Sequence, residues 1–165
     1  MSAATITIPD ADAMRTFAAE VIAPQLRPGD LLILTGDLGA GKTTFTQGLG
    51  DALGVRGPIA SPTFIIARTH PSEVNGPSLI HVDAYRLGSL AELDDLDLDS
   101  TLEDSVTVVE WGEGKAEALA ADRLHITLAR ERGGDVDLAN PDRGTREVTI
   151  SAHGSRWADV SFSDN

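Results

Sequence analysis

Apolar residues along this chain change their spacing several times, and each change marks an element. Thr5-Ile6-Thr7-Ile8 alternates with period two, as a strand with one buried face does. Asp10 then offers a helix N-cap. Met14, Phe17, Ala18, Val21 and Ile22 recur at helical spacing until Pro24, so a helix is predicted over 10–23. After the turn Arg27-Pro28-Gly29-Asp30, the unbroken run Leu31-Leu32-Ile33-Leu34 reads as a buried strand, and 44–53 as a helix ended by Gly54. Residues 64–67 read as a strand, 70–77 as turns, and 79–82 as a strand finishing in His81-Val82-Asp83. Ser89 and Glu92 make a capping box for a short helix, 106–109 is an apolar strand running into Glu110, and 115–121 is a short helix. The alternating stretches 124–128 and 147–150 predict an antiparallel pair. Between them, 131–145 is polar and rich in Gly and Asp, which predicts a long hairpin loop, and 158–165 is expected to fray.

One segment of this pattern carries chemistry of its own. Gly36-Asp37-Leu38-Gly39-Ala40-Gly41-Lys42-Thr43 matches G-x-x-x-x-G-K-[ST] and sits between the predicted strand 31–34 and the predicted helix 44–53. Glycines let the backbone curl so that successive N–H groups point inward at a phosphate. Lys42 brings a compact positive charge, the Thr43 hydroxyl can ligate Mg²⁺, and the helix beginning near Thr44 aims its positive end at the anion. A glycine-rich turn with no ligand would not explain why one of only two lysines in the chain stands here. The alternation of strands and helices around this loop implies a single α/β domain over 1–165. Its expected form is a P-loop NTPase-like three-layer sandwich with a mixed, mostly parallel central sheet and antiparallel edge strands.

Composition narrows the function. With 41% hydrophobic residues but only 4% aromatics, Leu, Ile, Val and Ala must fill the core. No apolar run approaches 18 residues, so no membrane span is expected. The absence of cysteine excludes disulfides, thiol catalysis and cysteine-bound zinc. The N-terminus lacks the layout of a signal peptide, which makes the cytoplasm the default compartment. A net charge of −13 repels a phosphate backbone and argues against tight, direct binding of tRNA or DNA by this chain alone.

A phosphate loop needs a further acid for Mg²⁺ and a group that places water. Glu110 and Asp83 both fall just past the carboxyl ends of apolar strands, where open α/β sheets bind ligands. An exposed acid at a strand end is the commoner case taken singly, but two beside a phosphate loop favour Glu110 as metal partner and Asp83 as a catalytic group. His81 shares a strand face with Asp83 and either helps orient a water or is simply packed. Ser61-Pro62-Thr63-Phe64 fits a phosphate-sensing switch as well as an ordinary turn, and Arg86 fits an ion pair better than a phosphate contact. Trp111 suits either the core or a partner surface. The run 92–104, with seven acids and no basic residue, reads as a solvated face, or as a dock for a basic partner.

Four motifs in order resemble the TsaE family of bacterial tRNA threonylcarbamoyladenosine synthesis: the loop 36–44, Ser61-Pro62-Thr63-Phe64, His81-Val82-Asp83-Ala84-Tyr85-Arg86-Leu87, and Glu110-Trp111-Gly112-Glu113. A weaker likeness covers 146–157, while 131–145 looks extended relative to the family pattern. The resemblance implies an ATPase that binds ATP and Mg²⁺, hydrolyses slowly, and acts with the TsaB and TsaD proteins. TsaD would transfer the threonylcarbamoyl group to adenosine 37 of tRNAs reading codons that start with A, and the tRNA would be handled by those partners. Carried over by motif, Gly36, Asp37, Leu38, Gly39, Ala40, Gly41, Lys42, Thr43 and Thr44 would hold the nucleotide. Thr43 and Glu110 would hold Mg²⁺, and Lys42, Glu110 and Asp83 would carry hydrolysis, with Trp111 functionally sensitive. Two other classes fit the loop. One is a small-molecule kinase, with Arg130, Arg132, Arg143 and Arg146 as lid arginines; the other is a scaffold gated by nucleotide without hydrolysis. A GTPase fits less well, because the chain has no Asn-Lys-x-Asp segment to read guanine.

Overall fold

The computed structural model describes residues 2–36, 41–55, 67–83, 104–110, 122–130 and 143–157. Strands β1 (Ser2–Asp10), β2 (Leu31–Thr35), β3 (Ala67–His70), β4 (Ser78–Asp83), β5 (Ser105–Glu110), β6 (Arg123–Arg130) and β7 (Arg143–His153) form one sheet in the order β1-β7-β6-β2-β5-β4-β3. The middle four, β6-β2-β5-β4, are parallel, while β7 and β1 on one side and β3 on the other are antiparallel. The expected α/β sheet with antiparallel edges is therefore present.

The two sides of the sheet follow from the residue pattern. Leu32, Leu34, Leu79, Val106, Val108, Leu124, Ile126, Leu128, Val148 and Ile150 face a helical layer and share one core with Met14, Phe17, Ile22, Phe45, Leu49 and Trp157. Leu31, Ile33, Ile80, Val82 and Val109 alternate with them and are buried as well. Parallel strands are covered on both faces, hence the unbroken apolar runs. Towards the antiparallel wing the pattern changes: Thr127 and Ala129, near the end of β6 where it joins β7, and Glu147 of β7 are exposed, and the apolar positions alternate as they do on a sheet packed on one face. This is also why β7 begins at Arg143, inside the polar stretch expected to be loop. Backbone pairing of Asp10 with Arg143 holds a segment whose composition alone does not look like a strand.

Helix α1 (Ala11–Phe17) starts where predicted, with the Asp10 carboxylate accepting from the Ala13 N–H at 2.8 Å. It does not run on as a regular α-helix. From Ala18 to Ile22 the chain widens into a π turn, in which the Ala23 N–H reaches back to the Ala18 carbonyl, and a 3₁₀ turn (Ala23–Gln25) follows. Pro24 is the physical reason: its ring excludes the carbonyl four residues back, and it has no N–H to give. Helix α2 (Lys42–Leu53) ends at Gly54 in a left-handed cap, as expected. The two helices touch backbone to backbone, since a Cβ on Gly48 would stand 2.4 Å from the Arg15 carbonyl oxygen. The predicted strand at 64–67 is described only from Ala67, where β3 begins. The capping box Ser89/Glu92 with the short helix expected from it, the helix expected over 115–121 and the tail 158–165 lie outside the described residues.

Candidate functional site

Three parallel strands end together beside the start of α2. In the β2–β5 register Leu34 pairs with Glu110, and in the β4–β5 register Glu110 pairs with Asp83. Gly36 follows β2 directly, and α2 opens at Lys42. The carboxyl edge of the sheet thus gathers Gly36, Gly41, Lys42, Thr43, Asp83 and Glu110 from three segments of the chain, as the sequence motifs required. Gly41 has φ of +107°, a conformation that side-chain-bearing residues rarely adopt, and a Cβ there would stand 3.3 Å from Met14 Cε of α1. Helix α1 therefore braces the end of the loop. Asp37, Leu38, Gly39 and Ala40 lie outside the described residues, as do Ser61-Pro62-Thr63-Phe64, Arg86 and Trp111.

Lys42 is 6% exposed, and its ammonium donates to the Gly36 carbonyl at 2.5 Å, tying the first turn of α2 to the end of β2. Thr43 and Thr44 occupy the same first turn and are partly buried. The Thr46 hydroxyl donates to the Lys42 carbonyl at 2.9 Å, which occupies that side chain within the helix. Glu110 is 4% exposed at the end of β5. Its Oε2 meets His81 Nε2 at 2.5 Å, and His81 is fully buried. The described contact of His81 is therefore with Glu110. That contact was missed in the sequence, although a signal for it exists. Pairing 79–83 in parallel with 106–110 sets His81 opposite Val108, one pleat from Glu110 on the same face.

Among the described residues no group of three or more His, Asp or Glu side chains could hold a metal by itself. The donors that do stand at this edge, a carboxylate and a hydroxyl, are hard oxygen ligands. They suit Mg²⁺, which keeps waters and takes substrate phosphates as its other ligands. Arg146, one of the lid arginines of the kinase alternative, is buried in β7 between β1 and β6 and is not part of a loop. Arg130 and Arg143 likewise belong to paired strands, and Arg132 lies outside the described residues. No described helix is long and apolar enough to cross a membrane.

The parallel sheet, the loop between β2 and α2, and the acids on adjoining strand ends define an α/β protein of the P-loop type. The family model for the threonylcarbamoyl adenosine biosynthesis protein TsaE matches residues 8–136, so the chain belongs to the TsaE family. It is 56% identical over 143 residues to the tRNA threonylcarbamoyladenosine biosynthesis protein TsaE of Streptomyces coelicolor, covering 86% of this chain and 93% of that one. The TsaE protein of Bacillus subtilis is 39% identical over 84% of this chain and 80% of its own length. In three dimensions the chain is similar to the crystal structure of Bacillus subtilis YdiB, with a TM-score of 0.70 at 32% identity, over 94% of this chain and 89% of that one.

Proposed function

We propose that this chain is the Mg²⁺-dependent ATPase of tRNA threonylcarbamoyladenosine synthesis, acting with TsaB- and TsaD-type partners on position 37 of tRNAs that read ANN codons. The observation that carries the reading is the meeting of Lys42, Thr43 and Glu110 at one sheet edge, at the end of a loop whose sequence is that of a phosphate cradle. Lys42 and the amides opening α2 neutralise the β- and γ-phosphates. Thr43 and Glu110 hold the divalent cation, which when bound offsets charge on the phosphate oxygens. Asp83, paired in register with Glu110, accepts a proton or hydrogen bond from the attacking water. Nothing covalent is asked of the protein; positioning and charge stabilisation do the catalysis. Family membership and the names of the relatives support the pathway, and the absence of a guanine-reading segment supports ATP.

The −13 charge supports a protein that leaves tRNA to its partners and acts in the cytoplasm beside them. The test is nucleoside analysis of tRNA from a strain depleted of this protein. The wild-type chain should restore the modified adenosine, whereas Lys42→Ala and Glu110→Ala should not. Full restoration by both variants would overturn the reading.

A further inference from the structure

The buried pair His81–Glu110 asks for an explanation that packing does not supply. His81 is 0% exposed, and among the described residues its Nδ1 has no hydrogen-bond partner. A buried polar atom left unpaired costs about 1–3 kcal/mol. Leu79 on the same strand, and Val106 and Val108 on the adjoining one, show that this face accepts plain hydrocarbon. A leucine at 81 would remove the orphaned ring nitrogen, but it would leave the buried Glu110 carboxylate without its one described donor. What the imidazole adds is one donor, Nε2–H, aimed at one acceptor, Glu110 Oε2, at 2.5 Å. Glu110 has no other donor among the described residues. With Oε2 engaged, the carboxylate is held in one rotamer and its second oxygen remains for a ligand.

We propose that His81 is a positioning residue that orients the Glu110 carboxylate toward the divalent cation accompanying the nucleotide; the inference rests on the role of Glu110 proposed above. Partners that donate to a metal-binding carboxylate typically change metal affinity or activity ten- to a hundredfold when removed. The tautomer follows from the geometry: Nε2 carries the proton, and the orphan Nδ1 is a bare acceptor, the less costly of the two atoms to leave unpaired.

The experiment is a titration of Mn²⁺ into the complex of the full chain with a non-hydrolysable ATP analogue, read by electron paramagnetic resonance. The variants are Glu110→Gln, His81→Leu, His81→Asn and His81→Gln. His81→Leu should weaken Mn²⁺ by about tenfold or more while leaving the affinity for the analogue in EDTA unchanged. His81→Gln, whose amide nitrogen reaches as far as Nε2, should recover most of the loss, and His81→Asn, whose amide falls short, should not. If His81→Leu does not fold, the Asn and Gln pair carries the same contrast. Nitrogen chemical shifts of the native protein should place a proton on His81 Nε2. Wild-type Mn²⁺ affinity in folded His81→Leu or His81→Asn, with weak binding in Glu110→Gln, would overturn this inference alone. Unchanged affinity in Glu110→Gln would overturn the metal role of Glu110 and this inference with it. A bare Nε2 would also overturn it.

Discussion

The sheet holds a buried carboxylate at each end of its parallel strands, and the two are treated differently. At the amino end Asp30, just before β2, accepts from the Arg27 N–H at 2.7 Å and from Arg156 Nε and Nη2 at 3.3 and 3.1 Å. Arg156 is itself fixed by the Gln25 carbonyl at 2.6 Å and by stacking 4.0 Å from the centre of the Trp157 ring. The same turn is stitched into β5 through Gly29 N–H to the Ser105 carbonyl and Thr107 N–H to the Asp30 carbonyl. At the carboxyl end Glu110 has one described donor, and that donor has an unpaired ring nitrogen. A carboxylate saturated by its own chain is a fastener, closing the C-terminal turn Ser155–Trp157 against the start of β2. One left with spare acceptor capacity at the sheet edge where the phosphate-loop helix begins is suited to a ligand.

That contrast is open to attack at several points. The largest effect expected is on turnover: Lys42→Ala and Glu110→Ala should each lose roughly a hundredfold or more in ATP hydrolysis measured with partners present. Near-native rates in either would remove the distinction between the two ends. Next comes stability. Asp30→Ala strands Arg156 beside a buried wall and should cost about 2 kcal/mol in urea denaturation, somewhat below the usual toll for a broken buried pair because Arg156 keeps some contact with water. Glu110→Gln, which can still accept from His81, should stay within about 1 kcal/mol of native stability. A reversal of those two results would mean that the fastener is at the other end.

The smallest effect expected is on pH dependence. Burial pushes the Asp30 carboxyl above its ordinary value, and the Arg27 N–H and Arg156 pull it back only in part. The native state then keeps this proton to a higher pH than the unfolded chain does. The stability that Asp30 contributes is whole below the unfolded carboxylate value and falls as pH rises through the folded one. The stability difference between the native chain and Asp30→Asn should accordingly be greater near pH 3.5 than near pH 7 by roughly a kcal/mol or less. A difference that grows with rising pH would mean that Arg156 outweighs burial.

How much of this was legible in the residues depends on how far apart in sequence the partners stand. The phosphate loop is contiguous, so its motif could be read directly, and Glu110 and Asp83 could be placed at strand ends from short apolar runs alone. The His81–Glu110 contact spans 29 residues and requires knowing that β4 and β5 are neighbours in a given register. The Asp30–Arg156 pair spans 126 residues and joins two turns that carry no motif. The π turn was hidden because Phe17, Ala18, Val21 and Ile22 keep an apolar face whether the turn is α or π. Trp157, the last residue before the stretch expected to fray, is buried in the core that α1, α2 and the sheet share, and no periodic run of apolar residues around it announces this.

Isothermal titration calorimetry of ATP with Mg²⁺ into the folded chain tests the central claim most directly. A single saturable site should appear for the native protein and vanish in Lys42→Ala, while Asp30→Asn keeps it. No heat of binding on material shown to be folded, or the same heat in Lys42→Ala, would contradict the account.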